Sequence, residues 1–281
     1  MSIDYSRFVP DVTFELIPIK HLVSNQKYQR RLSESQIIRA AQDFDVCQIN
    51  AVKVSRRDGV NYVFDGQHTI EIVAAVSGSR DTPVWCMVFD SLYYEAEAKI
   101  FAEQQKHSRP LVPYETFVAH LEAGDKTYQT INALVQSYGL ELSPNNKRYG
   151  VICAIGTVVN IFEKHGYHVL DKTLRMCIST WEGEQYSLGA NMLTGIARLI
   201  VTFGEHLSEE QFKERLGQVS VKQLTRTARE RRPGSLGYAE AMLMFYNRRC
   251  KYRLSMRKLY NANGTEDLDF DEADEEEDEI I

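Results

Sequence analysis

The chain has 281 residues, 43% of them hydrophobic and 26% charged, the mix of a globular protein long enough to bury its own core. No apolar run reaches the roughly 18 residues a membrane span needs. Met1 to Arg7 shows no basic stretch followed by an apolar run, so neither a membrane helix nor a secretory signal is expected, and a cytoplasmic location is.

The cysteines Cys47, Cys86, Cys153, Cys177 and Cys250 are odd in number, widely spaced and without a CxxC pair, which suits reduced thiols and argues against zinc. The formal net charge of −6 hides two opposed segments. Residues 266–281 hold 11 of the 39 acids and no Lys or Arg, which leaves 33 basic against 28 acidic residues elsewhere, or +5. Residues 222–258 hold 11 Lys or Arg against only Glu230 and Glu240, a local +9.

In chain order, residues 12–19 read as a short strand, apolar and partly β-branched. A polar, basic loop follows, Tyr28-Gln29-Arg30-Arg31. Ser33 with Gln36 is a capping box that opens a helix over 34–43, with Ile37, Ile38, Ala41 and Phe44 at helical spacing. Residues 51–55 and 61–64 alternate as two strands of a hairpin turned at Asp58-Gly59. The second strand runs straight into Asp65-Gly66-Gln67-His68, and 69–76 read as a helix. Residues 82–89 form another strand, with Pro83 at an edge or entry position, and 93–105 a helix rich in Glu and Ala. Helices are expected over 113–123 and 127–138, then a small hairpin of 140–142 with 149–152. From 154 to 259 the chain reads as five or six helices, one opened by the capping box Ser208 to Gln211 and one running from about 236 to 259. His165-Gly166-Tyr167-His168 reads as a surface loop between helices. Residues 265–281 are low-complexity and expected to be disordered.

The most informative segment is Tyr62 to Ala75, a β-branched and aromatic strand that ends in Asp65-Gly66 before a helix starts at once. First-turn N–H groups have no partner inside a helix and share its positive dipole end, so they form an anion site. Gly66 lets a phosphate come close to the backbone. Gln67, His68 and Thr69 add donors, while Asp65 can face a metal ion or a hydroxyl. The other reading of the same residues is a capped helix with a polar rim and no ligand.

The order of elements from Ile17 to Gln105 resembles the N-terminal domain of the ParB/sulfiredoxin-like superfamily. It is most similar to the DGQHR-type branch of phages and mobile elements, whose members carry a ParB-like nuclease domain. The pieces that carry the likeness are Tyr28 to Arg31, Ile37 to Phe44, Ala51 to Val54, Val63 to His68, and Pro83-Val84. The resemblance implies a ParB/sulfiredoxin-like domain (a small mixed sheet with helices) over 1–110; with the helices read beyond it as an all-helical domain over 111–264, an α+β fold is expected. It implies a nucleotide or phosphodiester at Gly66, Gln67, His68 and Thr69, with Gln29, Arg30 and Arg31 reaching phosphate. Glu103 and Gln104 would then stand near Mg²⁺ bound with a nucleoside triphosphate. Where ParB clamps carry Gly-Glu-Arg-Arg-x-Arg, this chain has Gly66-Gln67-His68-Thr69-Ile70-Glu71. An enzyme built on this site would be a metal-dependent nuclease or an NTP-using kinase, with Asp65, His68 and Glu71 as its catalytic groups.

The basic segment supplies Arg226, Arg229, Arg231, Arg232, Arg248, Arg249, Lys251 and Arg253, interleaved with Tyr238, Phe245, Tyr246 and Tyr252. Such a mixture suits phosphate contact and base stacking, and equally suits a solvated helix face. The reading that follows is a DNA-associated protein of a phage or mobile element, in which a homodimer is admissible. The alternative to DNA binding or catalysis is a protein-interaction or DNA-mimic module that acts through the acidic tail.

Overall fold

A computed structural model describes residues 9–24, 27–29, 31–90, 92–107, 110–144, 148–184, 186–248 and 250–261. The architecture is α+β, and the chain divides into two compact units, residues 1–109 and 110–281.

In the first unit, β1 (Thr13–Pro18), β2 (Leu22–Val23), β3 (Val52–Arg57), β4 (Val60–Asp65) and β5 (Pro83–Phe89) form one mixed sheet. Its order is β1-β5-β3-β4-β2. Asp58 and Gly59 both take positive φ, 50° and 77°, and turn β3 into β4 as the Asp-Gly signal requires. β1 pairs antiparallel with β5, whereas β3–β5 and β2–β4 are parallel. β5 is thus an interior strand, and its proline is tolerated because Pro83 is the first residue, opposite Pro18.

The helices α1 (Glu34–Gln42), α2 (Gln67–Ser77) and α3 (Tyr94–His107) complete this unit. Val52, Val54, Val63, Val84, Cys86 and Val88 bury one sheet face against Ile70, Val73 and Ala74 of α2. α1 packs along α2 and buries no residue fully. Only half of its capping box forms: Ser33 Oγ accepts the Gln36 N–H at 3.4 Å. α3 lies over β4. Toward β1 the sheet carries exposed apolar side chains, Phe14, Leu16 and Trp85.

The second unit is helical apart from a small sheet. It comprises α4 (Pro113–Glu122), α5 (Lys126–Ser137), β6 (Glu141–Leu142), β7 (Val151–Ile152), α6 (Ile155–Trp181), α7 (Ala190–Phe203), α8 (Glu209–Leu216), α9 (Val221–Arg231), α10 (Gly234–Tyr246) and α11 (Met256–Asn261). The core runs from Phe117 to Leu259 and centres on α6, α7 and α10. α10 is buried nearly all round, from Gly237 to Leu243 and again at Phe245 and Tyr246, which removes the amphipathic period.

Three expectations are corrected here. β6 and β7 pair in parallel, Glu141 with Val151 and Leu142 with Ile152, not as a hairpin. Strands of two residues exchange too few hydrogen bonds for local sequence to set their direction. The helix expected over 236–259 stops at Tyr246. The Asn247 amide closes the break, its Nδ2 donating to Leu254 O and its Oδ1 accepting from Leu254 N, both at 2.9 Å. His165 to His168 do fall where two helical segments of α6 meet, but the expected loop shrinks to a single non-helical residue, Gly166, at φ 82° and ψ 174°. The capping box at α8 is also incomplete: Ser208 caps Gln211 N at 3.4 Å, but Ser208 N donates to Tyr246 Oη at 3.1 Å. The expected tail, 265–281, lies outside the described residues.

Candidate functional site

The turn between β4 and α2 has the geometry of an uncapped helix start. Gly66 is the N-cap residue, at φ 96° and ψ 18°, and no side chain caps the helix. The first helical bond is Ile70 N to Gly66 O at 3.2 Å, so the N–H groups before it open away from the helix. Glycine is required twice over: the backbone is left-handed, and a Cβ would stand 3.3 Å from Val52 Cα and Cγ2. The local sequence therefore makes this turn for packing as much as for ligand approach.

Around it, the structure brings together three polar side chains from three elements. Lys53 Nζ of β3 stands 3.7 Å from Asp65 Oδ2. With the Gln104 amide oriented to satisfy both neighbours, its nitrogen donates to Asp65 Oδ2 at 3.1 Å and its oxygen accepts from Lys53 Nζ at 2.7 Å. Asp65 and Gln104, 39 positions apart in the chain, thus meet directly, and Lys53 joins both. The Asp65 charge is compensated locally, which leaves the adjoining first turn of α2 without a bare carboxylate beside it. His68 Nε2 is buried and has no hydrogen-bond partner among the described residues. A ring nitrogen left so costs roughly 1–3 kcal/mol of desolvation unless something binds it. Gln67 is buried at 6% exposure and Thr69 is half-buried. The loop ahead of α1 touches the same strand, since Gln29 Nε2 donates to Val63 O at 2.8 Å. Arg31 is exposed, and Arg30 lies outside the described residues.

A second cluster lies beside this one. α3 presents Tyr94, Glu97, Phe101 and Gln104 at helical spacing, one stripe that faces the sheet. Glu97 is fully buried. Its Oε1 pairs with Arg57 Nε at 2.8 Å, and its Oε2 accepts from Tyr28 Oη at 3.2 Å and from Arg57 Nη2 at 3.4 Å. The Arg57 guanidinium sits 4.2 Å from the Tyr62 ring centroid and 5.9 Å from that of Tyr94. Tyr28 packs on Tyr94 and Phe101 at 5.4 and 5.6 Å. Burial, and after it the Glu97 carboxylate, push the Tyr28 phenol well above its ordinary value. This cluster fixes α3 on the sheet and so sets where Gln104 reaches.

Neither Lys53 nor Glu97 stands out in the sequence. A regular hairpin turned at Asp58-Gly59 places Lys53 opposite Phe64. An irregularity between Lys53 and Val54 shifts the register, so that Lys53 pairs with Asp65. Glu97 is one of several acids in a Glu-rich helix, and only the stripe it shares with Tyr94 and Phe101 could have marked it.

The remaining sequence-derived residues separate. Glu71 is not at the turn's mouth: its carboxylate forms a two-point pair with Arg80, at 2.9 and 3.1 Å. Glu103 is exposed on α3. Among the described residues, no group of three or more His, Cys, Asp or Glu is placed to hold a metal ion. Asp65, Glu71 and Glu103 do not come together as such a group among the described residues. No helix of the described residues is long and apolar enough to cross a membrane.

The basic segment is also partly consumed by the fold. Glu240, only 3% exposed, accepts from Arg231 Nε at 3.0 Å and forms an ion pair with Arg232 Nε at 2.9 Å. These two arginines serve a buried carboxylate. Arg226 forms an exposed pair with Glu230 at 2.9 Å, a contact of small worth. Arg248 lies 4.2 Å over the Phe245 ring, and Lys251 lies 5.6 Å over that of Tyr252. Arg229 and Arg253 are exposed, and Arg249 lies outside the described residues. Of the interleaved aromatics, Tyr238, Phe245 and Tyr246 belong to the core, while Tyr252 is 80% exposed.

A family model described as "Family of unknown function (DUF6551)" matches residues 23–258. The chain belongs to that family, and the match includes both the turn at Gly66 and the basic helices. No curated protein matches the chain.

Proposed function

We propose that this member of the family is a nucleic-acid-associated protein. In this reading it binds a phosphoryl group, of a nucleotide or of a phosphodiester, at the turn from Asp65 to Thr69. Its C-terminal helices hold DNA through their exposed cations. The observation that carries the proposal is the first turn of α2, which opens on left-handed Gly66 with no side-chain cap, beside a buried His68 Nε2 that has no hydrogen-bond partner among the described residues. A phosphate there would receive backbone N–H groups and the positive end of the helix dipole. His68 Nε2 would donate to a phosphate oxygen, while Lys53 stays with Asp65 and Gln104 at the edge of the turn. The resemblance to the ParB/sulfiredoxin-like superfamily supports the same turn. Because Asp65, Glu71 and Glu103 do not converge, the proposal is one of binding and includes no bond cleavage.

Calorimetric titration with ATP, CTP, GTP and UTP, with and without Mg²⁺, and with a short DNA oligonucleotide, tests it. His68→Ala should weaken the observed binding by at least about tenfold, the loss of one charge-assisted hydrogen bond. Absence of binding to every nucleotide and to the oligonucleotide would overturn the proposal. Consumption of a nucleotide during the titration would identify a phosphotransfer enzyme instead.

A further inference from the structure

In the second unit α9, α11 and the segment before α11 carry exposed cations without an ion pair among the described residues, and the sequence continues past α11 into an acidic stretch. The C-terminal ends of α9 and α11 meet at Glu240. There Arg231 donates to the carboxylate and Arg232 pairs with it, Tyr260 Oη donates to Glu240 Oε1 at 2.6 Å, and the Arg232 guanidinium lies 5.2 Å from the Tyr260 ring centroid. Leu259, 1% exposed, anchors α11 in the core. The last described residue, Asn261, therefore leaves from this junction.

Along α9, α11 and the segment between α10 and α11, several exposed cations form no ion pair among the described residues. Lys222 and Arg229 on α9, Lys251 and Arg253 before α11, and Arg257 and Lys258 on α11 are exposed. None of these six is within ion-pair distance of a carboxylate among the described residues. The next stretch of sequence, residues 266–279, holds 11 acids and no cation. Residues 262–281 extend at most about 70 Å, whereas a unit of this size is about 40 Å across. Every one of these cations is thus within reach of the acids from their attachment point. A tether this short also holds them at an effective concentration of order millimolar.

We infer that residues 265–281 are a tethered polyanion that docks on this basic face and excludes nucleic acid from it. The docking stands on charge and attachment alone. The exclusion rests on the DNA-binding reading given above.

Three proteins decide it: the full chain, a chain ending at Gly264, and a full chain whose 11 tail acids are changed to Asn or Gln. The amidated full chain covers the case in which truncation disturbs folding. A fluorescent peptide of residues 262–281 should bind both tailless forms and bind the full chain at least about tenfold more weakly, because the site is already filled. Raising salt from about 50 to about 500 mM should abolish the peptide's binding. Arg229→Glu with Arg257→Glu and Lys258→Glu in the truncated chain should abolish it too, which localises the face. An oligonucleotide should bind both tailless forms at least about tenfold more tightly than the full chain. Failure of the peptide to bind either tailless form overturns the docking, whatever the DNA result. Peptide binding together with no DNA binding by any form upholds the docking and overturns the DNA reading. Peptide binding with equal DNA affinity in all three forms overturns the exclusion.

Discussion

Replacing Glu97 by alanine removes the only carboxylate that meets Arg57 among the described residues, and with it the acceptor for Tyr28 Oη. Removing one partner of a buried ion pair costs about 3–5 kcal/mol when the survivor is stranded in apolar surroundings. Here Arg57 keeps 26% of its side chain exposed and lies against the Tyr62 ring, so part of its charge stays solvated. The expected loss is therefore about 2–3 kcal/mol. Glu97→Gln keeps acceptor and donor atoms in place but loses the charge, and should cost roughly half as much. Urea unfolding followed by circular dichroism measures both. Hydrogen exchange should localise the loss to residues 52–65 and 94–104, the elements the cluster joins. Because Gln104 sits two helical turns beyond Glu97 on the same stripe, phosphate or nucleotide binding at the turn should weaken in Glu97→Ala as well. A loss below about 0.5 kcal/mol, the scale of an exposed pair, would show that Arg57 and Tyr28 find water as readily as Glu97. That result would refute the claim that this cluster positions α3. A double-mutant cycle of Glu97→Ala with Arg57→Ala should give a coupling of at least about 1 kcal/mol.

Three further outcomes follow from the same geometry. Gly66→Ala should cost about 2–3 kcal/mol, since it meets both the left-handed backbone penalty and overpacking against Val52. Gly59→Ala, at φ 77° with nothing within 4 Å, should cost only the backbone part, about 1–2 kcal/mol; equal losses in urea unfolding would contradict the Val52 contact. Alkylation of the native protein near pH 8 should reach exposed Cys47 first, whereas burial pushes the Cys86 thiol up to about 11 and that of Cys177 up to about 12. Mass spectrometry showing early labelling of Cys86 or Cys177 would contradict that burial. Burial, and then Lys164, hold the His165 imidazole below its ordinary value of 6.5, so the folded state disfavours its protonated form. Its contribution is present above pH 6.5 and is lost as pH falls below it; the urea midpoint should drop less between pH 7.5 and 5.5 in His165→Gln than in the unaltered chain.

Much of the local structure was legible because short-range chemistry decides it. The Asp58-Gly59 turn, the Ser33 and Ser208 caps and the strand-to-helix step at Gly66 each depend on residues within four positions of one another. α2 begins at Gln67, two residues before the helix read from sequence, because Gly66 can serve as N-cap in a left-handed conformation. Where partners are distant, the reading failed in specific ways. Asn247 ends α10 by bonding to Leu254, and a helical period that continues past it carries no sign of that bridge. Arg231 and Arg232 look like phosphate ligands until the fold places Glu240 between them.

Local preferences and residue counts alone set most of the helices and strands, the strand-to-helix step at Gly66 and the opposed charges of residues 222–258 and 266–281. These follow from backbone preferences and from counting. Only the tertiary structure decided which charges remain available. The register shift in β3 and β4 puts Lys53 on Asp65, α3 carries Glu97 to Arg57 and Gln104 to Asp65, and Arg80 takes up Glu71. A charged side chain can contact a ligand only if the fold has not already paired it, and that pairing is set by contacts tens of residues apart in the chain.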